Sequence, residues 1–350
     1  YRIKEEITIP GTKESIGQVL LTDITGRKLE VRAAQDELLL RGELQIFCMY
    51  LSEEGKTDWL EQSVPYEGRI ECSGATEGMY YDVQHALEDT LADVRMDEDG
   101  EMRIIGIEGT VSVRINLYEE EELNLLEDLY SLEQKVSYQT REAVYEELLL
   151  QNQSKCKIVE NLSLPELKDD VLQICHSSGS VQIEHVETRA EKQGGILIEG
   201  ILHVSFLYLK ADDALPFGNW QGMVPFSYLL ECPDMPKDVR YQLSNRVEQI
   251  SVTMTGSDSV EVKVVLDFDV FLRKEVPMQV ITEVSLEETD REELAKKPGI
   301  VGYMVKSGDD LWTLAKQYMT TEESIRQINH LENGKIKSGD RLIICKEIGM

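Results

Sequence analysis

The sequence predicts mainly β repeats, folded as antiparallel sheets or a sandwich, plus a small α+β module of βααβ order near the C-terminal end. Three observations predict this class. A set of short motifs occurs twice, in one order, before residue 285. Long segments around those motifs alternate apolar and polar side chains with period two, as half-buried strands do. Only residues 303–345 combine strand-like ends with apolar residues at helical spacing.

The duplication decides the architecture. Arg2-Ile-Lys-Glu-Glu-Ile-Thr-Ile-Pro10 returns as Lys157-Ile-Val-Glu-Asn-Leu-Ser-Leu-Pro165, and Gln18-Val19-Leu20 returns as Gln173-Ile174-Cys175. Gly42, with Tyr50-Leu51 after it, matches Gly200 with Tyr208-Leu209. Pro65-Tyr66 and Glu71-Cys72 match Pro225-Phe226 and Glu231-Cys232. These pairs place homologous units at 1–130 and 156–284, with linkers at 131–155 and 285–302. Because the first residues already belong to a repeat, a further repeat upstream in a longer parent is expected.

Within each unit the strands follow from alternation. Leu38 to Phe47 passes from a continuous apolar run into period two, and Val260 to Val264 and Leu266 to Val270 alternate with β-branched or aromatic residues on one face. Asp97-Glu98-Asp99-Gly100 and Gly256-Ser257-Asp258-Ser259 supply turn chemistry, so Val94–Val113 and Val252–Leu272 are expected as hairpins. In the first linker Val144, Tyr145, Leu148 and Leu149 form an i, i+4 stripe. That stripe suits a short helix over 142–150, or else a solvated acidic linker. The second linker is highly charged and is broken by Pro298-Gly299.

Charge excludes several functions. There are 36 basic and 66 acidic residues, a formal charge of −30. Such a chain cannot neutralise the phosphates of a nucleic acid, and it is repelled from an anionic membrane face. No uncharged apolar run approaches the roughly 18 residues that span a bilayer. The six cysteines show no paired spacing and sit in strand-like contexts, as buried free thiols of a reducing compartment would.

The C-terminal module is the most specific stretch. Tyr303-Met304-Val305 reads as a strand ending in a Lys306-Ser307-Gly308 turn, and Asp309-Asp310 offer capping oxygens to a helix. Leu311, Leu314, Ala315 and Tyr318 share one face of that helix. Thr321 caps a second helix with Ile325 and Ile328, Asn333-Gly334 turns the chain, and Arg341 to Cys345 closes as a strand. Residues 303–345 carry no net charge, so all of the −30 resides upstream. A neutral module after Pro298-Gly299 suits presentation on a tether.

These residues resemble the LysM domain. The carriers are Tyr303, Val305, Gly308-Asp309, Leu311-Trp312, Leu314-Ala315 and Tyr318, then Ile325, Ile328-Asn329, Leu331, Ile336, Gly339-Asp340, Leu342 and Ile344. The resemblance implies a βααβ fold that usually binds N-acetylglucosamine glycans of the peptidoglycan or chitin type. Its groove would place Gly308, Asp309, Asp310, Leu311, Asn329, His330, Leu331 and Ile336 beside the ligand. Three positions depart from the family: Asp310 stands where Thr or Ser is usual, Ser338 where Pro is common, and Asp340 at a usually neutral site. A second carboxylate at the groove mouth offers nothing to a neutral acetamido sugar.

The repeats resemble the SPOCS domain of spore-coat-associated proteins from endospore-forming bacteria. The Pro–Gln start, the strand-Gly-strand ending in Tyr-Leu, and the Pro-aromatic and Glu-Cys marks carry that resemblance. Tandem SPOCS domains with one LysM are similar to clostridial coat-morphogenesis proteins that tether the coat's scaffold ATPase to the developing spore. The implied function is a non-catalytic adaptor in the mother-cell cytoplasm at the forespore surface, its LysM docking the scaffold ATPase. The alternative is peptidoglycan binding at the cell wall or cortex.

No catalytic, cofactor or metal site is expected. The chain lacks a phosphate-cradling Gly-x-x-x-x-Gly-Lys loop and a Gly-x-Ser-x-Gly elbow. Cys175 and His176 adjoin, but strand neighbours point to opposite faces. Their expected roles are structural cysteine and surface histidine. Glu119 to Glu122 read as solvated surface rather than a hydrolase pair. Trp312 is expected to help close the module in preference to stacking on a sugar.

Overall fold

The computed structural model describes residues 1–168, 170–190, 194–211, 215–288, 298–331 and 335–346. The chain divides into two compact units, Tyr1–Glu120 with Glu146–Glu275, and Glu121–Tyr145 with Val276–Met350.

The first unit holds most of both repeats, the outer ends of β7 and β12 (134–145 and 276–288) falling in the second, and the repeats' topologies agree strand for strand. In repeat one, β1 (Arg2–Thr8), β6 (Met102–Tyr118) and β5 (Tyr80–Met96) form one sheet in the order β1-β6-β5. The other sheet is β2-β3-β4, from Ile16–Ala34, Glu37–Ser52 and Thr57–Glu71. In repeat two, β7 (Gln134–Ser163), β12 (Ser259–Glu288) and β11 (Val239–Met254) are ordered β7-β12-β11. Then β8 (Val171–Arg189), β9 (Gly195–Lys210) and β10 (Phe217–Glu231) are ordered β8-β9-β10. Both expected hairpins are present, as β5–β6 and β11–β12.

The repeated motifs have structural causes. Gly42 on β3 pairs with Tyr66 on β4, and Gly200 on β9 pairs with Phe226 on β10. A Cβ on Gly42 would lie 2.5 Å from the Tyr66 hydroxyl; one on Gly200 would collide with the Gln182 backbone carbonyl and lie 3.1 Å from the Phe226 ring. In both repeats an aromatic ring lies over the bare backbone opposite; at Gly42 the ring itself excludes a side chain, and at Gly200 the neighbouring strand's carbonyl does. Pro65 and Pro225 sit on β4 and β10, both edge strands, where a missing N–H removes no ladder bond. Gln18 lies opposite Leu51 and Gln173 opposite Leu209, and the register slips beside each glutamine in both repeats. The bulges were copied with the motifs.

Each repeat buries one core shared by its two sheets, with Ile3, Leu44, Ile46, Tyr50 and Ile107 in the first and Ile198, Phe206, Val262 and Phe268 in the second. A third cluster joins the repeats. Phe47 and Met49, on the opposite face of β3, pack with Cys175, Leu207, Leu209 and Phe217. The run Ile46 to Tyr50 is consequently buried on both faces. Each such large side chain contributes about 1.5–3 kcal/mol.

Two expectations are corrected here. Residues 142–150 are not helical but lie within β7. A spacing of four is even, so Val144 and Leu148 share a strand face as readily as a helix face, and a hydrogen-bonded neighbour in β12 decides for the strand. His176 is not a surface residue, because its side chain is only 12% exposed. It stacks on Phe47 at 4.2 Å between centroids and bonds Asp23 Oδ2 through Nε2 at 2.7 Å, stitching repeat two to repeat one. All six cysteines are free thiols.

The second unit contains β13 (Ile300–Met304), α1 (Leu311–Tyr318), α2 (Glu322–Ile328) and β14 (Arg341–Cys345), with β13 and β14 antiparallel. This is the expected βααβ order. The central part of the charged linker, 289–297, and the expected Asn333-Gly334 turn lie outside the described residues.

Candidate functional site

Around the expected groove residues the structure shows two copies of one turn. Lys306-Ser307-Gly308-Asp309 precedes α1, and Lys337-Ser338-Gly339-Asp340 precedes β14. Gly308 and Gly339 both take φ of 94°, a left-handed conformation that favours glycine. Asp309 Oδ2 accepts from Lys306 N at 2.7 Å, and Asp340 Oδ2 accepts from Lys337 N at 2.8 Å. The turns are laced together by Val305 N donating to Asp340 O at 2.9 Å and Gly339 N donating to Val305 O at 2.8 Å. Asp340 thus has a local structural task.

Asp309 Oδ2 also accepts the Tyr303 hydroxyl at 2.8 Å, which pushes that phenol's pKa up. Asp310 caps α1, its oxygens accepting Thr313 N and Thr313 Oγ1 at 2.8 Å each, and these bonds hold its carboxyl below the usual range. Leu311 is buried with Leu314, Ala315, Ile325, Leu342 and Ile344, and Leu331 and Ile336 pack on the same cluster.

At the end of α2, His330 N donates to Gln327 O and Leu331 N to Arg326 O, a Schellman cap with His330 at φ 51° where glycine is usual. Asn329 Nδ2 donates to Ile343 O at 2.7 Å and Ile343 N donates to Asn329 Oδ1 at 2.7 Å. The amide behaves as a one-residue strand against β14 and satisfies its outer edge. Leu311, Leu331 and Ile336 are therefore brought together, while Asp309, Asp310 and Asn329 bond backbone groups, and the two aspartates also accept the hydroxyls of Tyr303 and Thr313. Gly308, Asp310 and His330 are exposed.

A family model described as SipL, SPOCS domain matches residues 15–97 and 170–255, and a LysM domain model matches 303–344. This is a tandem SPOCS protein with a C-terminal LysM domain. The SPOCS matches cover β2 through β5 and β8 through β11, and leave out β6 and β12, the central strands of the second sheet in each repeat. No curated protein and no solved structure matches the chain. The pairing fits a sporulation-associated protein with a LysM module of a glycan-binding type. No helix among the described residues is long and apolar enough to cross a membrane.

The LysM domain is not simply hung on a tether. Asp128, in the upstream segment of the same unit, accepts the Trp312 indole N–H at 2.8 Å, the Lys316 ammonium at 2.5 Å and the Tyr138 hydroxyl at 2.9 Å. The Lys316 ammonium, then the Trp312 N–H, hold the Asp128 carboxyl well below the usual range. Tyr130 meets the Trp312 ring edge-on at 5.0 Å and donates its hydroxyl to Thr320 O at 2.8 Å, closing the end of α1. Trp312 remains 39% exposed, so it closes the domain against this segment instead of entering its core. Only an aspartate and two tyrosines in a highly acidic stretch marked the contact in sequence, which is too little to find it.

Proposed function

We propose that this chain is a non-catalytic adaptor of endospore coat assembly, with the LysM domain docking a coat scaffold ATPase in the mother cell at the forespore surface. One observation carries the reading. The Asn329 side-chain amide is already bonded at both ends to Ile343 and so is not free to read an acetamido sugar, while Asp310 is exposed and keeps its charge to meet a protein. The repeats, taken as 1–130 and 156–284, serve as rigid platforms carrying most of the negative charge.

The test measures the purified full chain against purified scaffold ATPase and, separately, against N-acetylglucosamine oligomers by calorimetry. The substitution Asp310→Ser keeps a capping oxygen and removes the charge. The reading expects saturable binding of the ATPase that Asp310→Ser weakens. The LysM match favours a second reading, peptidoglycan binding at the wall or cortex. Saturable binding of the oligomers, tightened by Asp310→Ser, with no response to the ATPase, establishes that reading and overturns the first.

A further inference from the structure

The two SPOCS repeats enclose a cleft that the LysM reading does not use. Its volume is about 810 Å³, and it is lined by residues 29–32 of β2, 80–83 and His85 of β5, 148–153 of β7 and 269–271 of β12, with Glu120 and with Arg246 from β11. That size falls within the roughly 300–1,000 Å³ of small-molecule sites. The wall holds a charged cluster built from both repeats. Arg246 Nη1 donates to Asp269 Oδ2 at 2.9 Å and to His85 Nε2 at 3.1 Å, and Arg246 Nη2 bonds Asp267.

Asp267 also accepts Gln153 Nε2 at 2.6 Å. It is 2% exposed, so two lining residues hold it directly behind the wall, and its Oδ1 and Arg246 Nε have no partner. Burial, with Arg246 adding to it, depresses the His85 pKa to about 4, so the ring is neutral and accepts from the guanidinium. One guanidinium therefore answers two carboxylates. Of the other lining residues, Glu30, Asp82 and Glu120 outnumber Arg32. A concave wall focuses that excess negative charge, and Tyr80 and Tyr81 among the lining residues supply aromatic surface that favours a cation. Among the described residues no three His, Cys, Asp or Glu side chains gather as a metal site requires.

We propose that this inter-repeat cleft binds an organic cation, a primary ammonium or guanidinium group held among the carboxylates and tyrosine rings. Two sources share this chemistry, a free polyamine and a lysine or arginine side chain of another protein. The test titrates the full chain with spermidine in one arm and with the peptide acetyl-Gly-Lys-Gly-Lys-Gly-amide in the other, following backbone amide shifts.

The expected result is saturable shifts confined to 29–32, 80–85, 148–153 and 269–271. The paired substitution Glu30→Gln with Glu120→Gln, at exposed lining positions, is expected to weaken binding about tenfold. Asp269→Asn provides a second variant deeper in the wall. Glu98→Gln with Asp99→Asn removes two charges from a distant exposed turn and is expected to change affinity less than about twofold. Tighter binding of spermidine assigns the free polyamine, and tighter binding of the peptide assigns a protein side chain. Shifts scattered over the acidic surface, failure to saturate, or equal loss in the control variant overturns the proposal.

Discussion

Asp128 and Trp312 stand 184 residues apart in sequence and are joined by an indole N–H···carboxylate bond of 2.8 Å. The same carboxylate holds Lys316 and Tyr138, so one acidic side chain in the upstream segment organises the outer face of α1. The LysM domain is consequently a composite, completed by residues that its own 42-residue family match does not contain.

Removing that carboxylate tests the composite. Asp128→Ala strands an indole N–H, an ammonium and a phenol at once, and should destabilise the second unit by about 1–3 kcal/mol. Denaturant unfolding read by Trp312 fluorescence, with Trp59 and Trp220 replaced by Phe, measures it. Because the folded Asp128 pKa is depressed, its contribution is present above the unfolded value near 4 and fades as pH falls below it. Asp128→Asn should abolish that acid dependence, and an unchanged pH profile would contradict the assignment.

Asn329 offers a second test in the same domain. Its amide is both donor and acceptor to Ile343, so Asn329→Ala leaves the edge of β14 unpaired and should cost about 1–3 kcal/mol. Asn329→Asp keeps the acceptor and loses the donor, and should fall between. Hydrogen exchange at Ile343 N reads the accepted bond directly: it should accelerate in Asn329→Ala and stay slow in Asn329→Asp, which still offers the acceptor.

The glycine–aromatic pair of the repeats predicts a rescue. Gly42→Ala drives a methyl into the Tyr66 ring and should cost about 1–3 kcal/mol. Combined with Tyr66→Ala, which vacates the space, the alanine at 42 should cost far less than it does alone, a coupling that a double-mutant cycle detects. Additive losses would show that the ring does not dictate the glycine.

His85 makes the first unit sensitive to acid. Its pKa is lowered in the fold to about 4, while the unfolded chain binds a proton near pH 6.5. The unfolded state therefore holds more protons between those values, and stability falls as pH drops through that window. A loss of roughly 1–2 kcal/mol between pH 7 and pH 5 is expected. His85→Gln, which retains an acceptor for Arg246, should flatten the profile, as urea titrations across pH will show.

Much of the fold was legible because strand periodicity and duplicated motifs are local signals. Gly42 marks a place where a close ring demands glycine, Pro65 an edge strand that tolerates proline and Gln18 a bulge, and each stood out because it recurs in repeat two. The reading failed at 142–150, where a spacing of four fits both periodicities and only the ladder to β12 arbitrates. It failed at His176 because burial there comes from Phe47 of the other repeat, more than a hundred residues away. At the expected groove positions the residue types were legible in sequence but not the bonds they make. Asp309 and Asn329 are visible as polar side chains, and only coordinates show that the backbone already holds them.

By itself, then, the chain of letters determined two β repeats, a βααβ terminus and their order, since each depends on periodicity, turn chemistry and capping over a few residues. Tertiary structure alone decided that β6 and β12 complete sheets with β1 and β7, that the two repeats share an apolar seam and a charged cleft, and that Asp128 closes the LysM domain. Those outcomes join residues far apart along the chain, and no local rule of spacing reaches across such distances. They are settled by which faces can be buried together and which charges must find a partner once they are.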